Sequence, residues 1–367
     1  MRIVEFGAGT LRFVEQLPHQ APETGFLWIY LEREQLETDL PLLQRAAQSL
    51  GGSPLLDLHV KDLANASHPS RYDYTSVYDL IVFRRLATES EVQHELGAAA
   101  PPKDSALAAF ARIRTRAVGF VVFDRLLITV HPGGCFAART FIERYLADAL
   151  QAEGLSASAR SRLPASAPDL MLRMLNMMVD SYLDLRKALS AELDRWQQEL
   201  LSPRNRSTDW GALMTARNAL HALDELCEEQ KDALQEWLDA QTEQPAPWLN
   251  QAELDGLLAR ARDVVEHVER VVHHVRRMEH GAEMAVQIHF SALGNRTNEI
   301  MRTLTALTAI FLPLNLIAGI FGMNFEFLPL IHAHDGFWWT LGAMSVIAVV
   351  LVVVFRRKRY LARTGAR

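Results

Sequence analysis

Two stretches in the last quarter of this 367-residue chain carry no Asp, Glu, Lys or Arg: 23 residues from Thr303 to Phe325 and 20 from Gly336 to Phe355. A helix needs ~20 apolar residues to cross the hydrocarbon core of a bilayer, and within it every backbone polar group must be satisfied by the segment itself. Two such runs in tandem predict two transmembrane helices, over about residues 303–322 and 336–355, joined by a short loop at 323–335. Two buried core helices are the alternative, and the pairing of the runs around a tight connector disfavours it.

The flanks set an orientation. The second run is followed by "RRKRYLARTGAR", residues 356–367, with six basic side chains and no acid. The loop between the runs holds Glu326 and Asp335 and no Lys or Arg. Positive charge stays on the cytoplasmic side, so both termini are expected in the cytoplasm of a cell whose inner membrane the chain crosses, with the loop outside. The opening "MRIVEFGAG" has neither the basic start nor the apolar centre of a signal peptide. The two cysteines, Cys135 and Cys227, fit no metal spacing and suit a reducing compartment. No nucleic-acid partner is expected.

Ahead of the membrane runs the pattern changes twice. Residues 1–165 read as a cytosolic α/β domain. "FLWIYLE", "YDLIVFRRL" and the pair "VGFVVF" and "LLITVH" are strand-like, and the Asp-Arg between the last two suits a hairpin. "LETDLPLLQRAAQSLGG" is a helix closed by glycines, and "LSASARSRLPASAPD" is a linker. Residues 166–248 read as two long antiparallel helices, one starting at Pro168 and one spanning about Trp210 to Ala240, with an acidic tip. From Leu249 no proline occurs until after Leu312, which predicts one stalk helix over 249–322 that continues into the first transmembrane span. At 1.5 Å per residue it would be ~105 Å long. Leu254, Leu257, Ala261, Val264, Val268, Val271, Val275, Met278, Ala282 and Ala285 alternate steps of three and four, a coiled-coil seam that predicts self-association.

The same stepping enters the membrane through Met301, Leu304, Thr308, Leu312, Asn315, Gly319 and Gly322. Spacing alone allows a packing seam of small residues. Asn315 favours a pore-lining face, because an amide in hydrocarbon needs a partner or water. Pro313 also frees a backbone carbonyl one turn earlier.

"IFLPLNLIAGIFGMNFE", followed by "FWW", a second apolar helix and "RRKRYL", resembles the CorA family of divalent-cation channels, whose signature is Gly-Met-Asn. The resemblance extends more loosely to "FLWIYLE", "DRLLITVH" and the long helices. It implies a funnel-shaped homopentamer embedded in a lipid bilayer, the first transmembrane helices lining the pore and the second forming an outer ring. It implies a pathway from Asn324 at the external mouth through Asn315, Leu312, Leu304 and Met301 to Asn298, with magnesium as cargo. The chain departs from the family in having Asn315 where Thr is frequent, and Leu330 where a second loop acid is frequent. His332, His334 and Asp335 stand nearby instead. The resemblance also implies a regulatory magnesium between neighbouring cytosolic domains. Ungapped counting back from the signature places its stalk ligand at Asp263, and Asp79 is the best partner in the α/β domain.

The chemistry agrees with such a mouth. Magnesium dehydrates reluctantly and keeps several waters. A ring of Asn324 amide oxygens can meet that hydration shell, Gly322 allows the turn, Met323 belongs to the same ion-selecting set, and Glu326 concentrates cations. Rings of Met301, Leu304 and Leu312 can close by dewetting.

Rival functions leave their own marks. "IVEFGAGTLRF" with the later "YLERE" imitates the strand, glycine turn and acid of a cofactor-binding enzyme, but lacks the third glycine. His267, His273, His274 and His280 could ligate zinc, set against a solvated stalk face. Cobalt or nickel transport is a third option, and a membrane-anchored structural coiled coil would need neither Asn315 nor the Gly-Met-Asn triplet.

Overall fold

The computed structural model describes residues 1–7, 11–97, 108–134, 143, 163–201, 210–245, 250–323 and 335–357. Two compact units are present, Met1–Arg195 with Asp209–Glu283, and Trp196–Thr208 with Met284–Arg367. Residues 165 and 248 both fall within the first unit.

That unit is built on a seven-stranded sheet: β1 (Arg2–Phe6), β2 (Leu11–Val14), β3 (Phe26–Glu32), β4 (Arg71–Tyr74), β5 (Asp79–Leu86), β6 (Thr115–Val122) and β7 (Leu126–His131). The order is β2-β1-β3-β7-β6-β5-β4, and only β3 and β7 run parallel. These two central strands are buried almost throughout, which is why "FLWIYLE" and "LLITVH" read as continuous apolar runs instead of alternating ones. One face of the sheet, with Leu27, Ile29 and Leu31, packs on α1 (Leu36–Leu50) through Leu43, Ala46 and Ala47. Helix α2 (Asp57–Ala64) closes against the same face, and Gly119 in β6 makes room for it: a Cβ there would stand 2.1 Å from Leu63 Cδ2. Gly25 takes φ +88° before β3, and a Cβ there would meet the Phe6 carbonyl at 1.9 Å. A short α3 (Glu89–Leu96) starts in a capping box between Thr88 and Glu91, whose carboxylate also pairs with the buried Arg85.

The glycine-rich start forms no nucleotide fold. β1 is followed by antiparallel β2, with Ile3 opposite Val14 and Phe6 opposite Leu11. A dinucleotide site needs strand, turn and helix, so the hairpin removes that reading.

The other face of the sheet is covered by α4 (Ala167–Asp180), capped by the Ser166 hydroxyl and buried at Leu170, Met171, Met174 and Leu175. The single long helix expected from Pro168 is in fact two. It breaks at Ser181, whose hydroxyl donates to the Met178 carbonyl at 2.6 Å, and α5 (Tyr182–Leu201) follows. Helix α6 (Trp210–Glu243) docks on β4 and β5. Helix α7 runs unbroken from Gln251 to Phe321, 71 residues, and α8 spans Gly336–Arg357.

The stalk seam needs a correction. Leu257, Ala261, Val264, Val268, Val271, Val275, Met278, Ala282 and Ala285 are buried within the single chain, along with Leu258, Val265 and Val272, and Leu254 is half-buried. Bonds to all three preceding helices hold this face inward: Arg260 to Asp169 of α4, Arg276 to Asp224 of α6, and Ser190 of α5 to Met278. The stripe up to Ala285 is a helix-bundle core, not a free seam for another copy.

Candidate functional site

Beyond Ala285 the burial of α7 changes. Residues 290–305 are all exposed within the chain. Farther on, one row is covered: Ala306 is buried, and Ile310, Pro313, Leu314, Ile317 and Phe321 are half-buried. On α8, in the same compact unit, Thr340, Met344, Ile347, Ala348, Leu351 and Phe355 form a half-buried row with matching helical spacing. The covered row of α7 lies on the side opposite Met301, Leu304, Thr308, Leu312, Asn315, Gly319 and Gly322, because residues 100° apart along a helix return to one side every three or four positions. All seven of those residues, and Asn298 before them, are exposed.

An apolar face bare in one chain is normally excluded from water by something else. Leu312 is 68 % exposed and Met301 56 %, and nearly nothing in the most apolar windows of α7 and α8 is buried, 6 % and 0 % respectively. Both helices are long and apolar enough to cross a membrane, and their exposure separates them from core helices of a soluble protein. Within the bare face the Thr308 hydroxyl donates back to the Leu304 carbonyl at 2.9 Å, leaving its lone pairs on the open side. Pro313 lies within the helix and has no N–H for the Ala309 carbonyl. Nothing lies within 4 Å of a Cβ built at Gly319, so its missing side chain serves no contact inside the chain. At Gly322 a Cβ would sit 3.1 Å from the Ala318 carbonyl, while the Gly322 N–H donates to that oxygen as the helix closes. Met323 follows, half exposed. Asn324, Glu326, Leu330, His332 and His334 lie outside the described residues; Asp335 stands at the start of α8, accepting from the Trp339 N–H.

The two acids expected to hold a regulatory ion differ in kind. Asp263 is exposed on α7, and no ion pair or hydrogen bond engages it among the described residues. Asp79 is largely enclosed. Its carboxylate accepts from Tyr72 Oη at 3.2 Å, Trp237 Nε1 at 3.1 Å and Gln241 Nε2 at 2.9 Å. Burial pushes its carboxyl above the usual range, and the hydrogen bonds from Trp237 and Tyr72 pull it partway back. This anchor ties α6 to the sheet, and sequence reasoning missed it. The available signal was a lone Trp in the acidic run "QEWLDAQ".

The stalk histidines point to different neighbours. His267 approaches Asn176 and Asp180 of α4, His274 approaches Ser190 of α5, and His280 approaches Glu283, while His273 is exposed. Burial, then Arg186 and Arg277, hold His274 below its ordinary pKa. Among the described residues no three His, Cys, Asp or Glu side chains form a metal-binding group.

A family model described as CorA-like Mg2+ transporter protein matches residues 23–357. The chain belongs to this family. The cobalt/magnesium transport protein CorA of Thermotoga maritima is 29% identical over 192 residues, 52% of this chain and 52% of that protein. A second relative, the cobalt/magnesium transport protein CorA of Methanocaldococcus jannaschii, is 42% identical over 66 residues, 18% of this chain and 21% of that protein. The chain thus matches about half the length, or less, of these curated CorA proteins. The complete structure of the CorA magnesium transporter from Methanocaldococcus jannaschii superposes with a TM-score of 0.72, covering 100% of this chain and 98% of that one at 18% identity. At that identity the likeness concerns the fold: an α/β domain, a long helical stalk and two apolar C-terminal helices are common to both.

Proposed function

We propose that this chain is one subunit of a homo-oligomeric divalent-cation channel of the cytoplasmic membrane, with magnesium as the principal ion. Five subunits is the expected number, with the bare face of α7 lining the pore and both termini in the cytoplasm. The uncovered row from Met301 to Gly322, opposite the row that is covered, carries the reading. Related proteins named as magnesium or cobalt/magnesium transport proteins support the same cargo. Asn324 and Glu326 form the mouth beyond Gly322 and Met323. Uptake into liposomes, with magnesium, cobalt, nickel and zinc supplied in turn, tests the cargo. Magnesium flux is expected; zinc flux without magnesium flux would replace this reading with a zinc transporter of the same family.

The narrow apolar part of the face is the gate in this reading. Leu304→Asn and Met301→Asp each hydrate it, and a dewetted barrier opens when its wall becomes polar. Both variants should leak at high internal magnesium, where the unaltered channel is silent. A variant equally silent there moves the gate elsewhere.

Closure by cytosolic magnesium completes the proposal. Asp79 is already engaged by Tyr72, Trp237 and Gln241, so Asp263 is the acid free to share an ion with a neighbouring copy. Acids brought together across a subunit contact repel, and a cation between them favours the closed state. Asp263→Ala should shift the magnesium midpoint for protease protection of the stalk to higher concentration. An unchanged midpoint removes Asp263 from regulation.

A further inference from the structure

Beside the Asp79 anchor lies a cleft of about 840 Å³ between the β4–β5 turn and the C-terminal part of α6. Its charged lining is of one sign. Asp73 and Asp79 come from the sheet side and Glu236, Asp239 and Glu243 from α6, and no Lys, Arg or His is among the described residues that line it. Asp73 is engaged by His59 and Arg71, and Asp79 by its three donors. The α6 acids are exposed, and neither Glu236 nor Glu243 has a partner among the described residues. They recur at i, i+3 and i+7, so one helical face presents carboxylates over ~10 Å.

The opposite wall is aromatic. Tyr72 and Tyr74 stack with ring centroids 5.9 Å apart and planes 18° from parallel, and Tyr74 is 65 % exposed although it borders the cleft. Trp237 contributes to the floor. Spaced carboxylates facing aromatic rings select among cations. A hydrated magnesium ion holds its waters and gains little from a ring face. A weakly hydrated organic ammonium gains both the charge and the ring. A methylene stem between ammonium groups would cover the apolar surface of the tyrosines, and the successive charges would meet successive carboxylates.

We propose that this cleft binds a linear aliphatic polyamine, whose ammonium groups pair with Glu236, Asp239 and Glu243 while its stem lies on Tyr74 and Tyr72. The site is separate from the pore face and does not depend on the transport reading. The test is calorimetric titration of the full-length protein in lipid nanodiscs with spermidine at physiological salt, with and without magnesium. Saturable binding is expected, weakened about fivefold by Tyr74→Ala, as loss of a cation–ring contact implies, and abolished by the paired change Glu236→Gln with Glu243→Gln. Magnesium should displace spermidine no better than sodium of equal ionic strength. All substituted side chains are exposed, so the variants should fold. Absence of saturable binding, an affinity unchanged by Tyr74→Ala, or displacement by magnesium at lower ionic strength than by sodium would each overturn the proposal, the last by making the cleft an ordinary divalent-cation patch.

Discussion

Asn324→Ala should abolish magnesium uptake and leave membrane insertion and assembly unchanged. Asn324 follows the last residue described at the end of α7. Its expected role is to offer amide oxygens to the waters that magnesium refuses to shed. Each lost hydrogen bond is worth ~1 kcal/mol, and a symmetric ring loses all its copies at once. Several such losses together lower flux by more than about a hundredfold. Uptake measured beside the oligomeric state of the purified variant separates loss of conduction from loss of assembly. Uptake at the unaltered rate would remove the Gly-Met-Asn mouth from the mechanism.

The second large effect is on stability. His131 ends β7, is 1 % exposed, and lies between the rings of Tyr30 and Phe120, with centroids at 4.9 and 6.5 Å. Neither ring nitrogen has a hydrogen-bond partner among the described residues. Burial first, then the positive charges of Arg85 and Arg33, lower its pKa from 6.5 to about 3. The folded chain thus keeps His131 neutral over a range in which the unfolded chain protonates it. The unfolded state binds more protons, so stability falls as pH drops from 6.5 towards 3. At ~1.4 kcal/mol per pH unit the loss reaches up to about 5 kcal/mol. His131→Phe keeps an aromatic ring and removes both unpaired nitrogens. It should raise stability at neutral pH and reduce the acid slope of denaturant unfolding by about one proton. Parallel pH profiles for the two proteins would show that His131 is not the buried neutral group.

The membrane part of the fold was the most legible. A charge-free run answers to one rule, backbone satisfaction in hydrocarbon, and few competing structures meet it. The central strands were readable because parallel neighbours bury both faces, which leaves an unbroken apolar run. The stalk was misjudged in its partners, although not in its helicity. The strict three-and-four seam is only part of the stripe: Leu258, Val265 and Val272 beside it widen it, and a wide stripe faces a core while a narrow one faces a coiled-coil partner. The break at Ser181 was hidden because Asp180 and Ser181 are polar without being helix-incompatible; the hydroxyl bond to Met178 that accompanies the break is local.

The proposed pore face was half legible. Its spacing could be read from Met301 to Gly322, but spacing alone could not say which side would be covered. That depended on the row from Ala306 to Phe321, and so on the compact unit that α7 forms with α8. The Asp79 anchor left only one local mark, Trp237 in its acidic run, because it joins residues more than 150 positions apart through one carboxylate.

The central claim is that one face of α7 meets water and ions while the opposite face does not. Single cysteines, introduced where Cys135 and Cys227 have been replaced, test it at Leu304, Thr308, Leu312, Asn315 and Gly319, and at Ile310, Leu314 and Ile317 on the covered side. In open channels in liposomes, a membrane-impermeant thiol reagent should modify the first group and block magnesium flux. It should leave the second group unmodified. Modification with no helical period, or confined to Ile310, Leu314 and Ile317, would contradict the account.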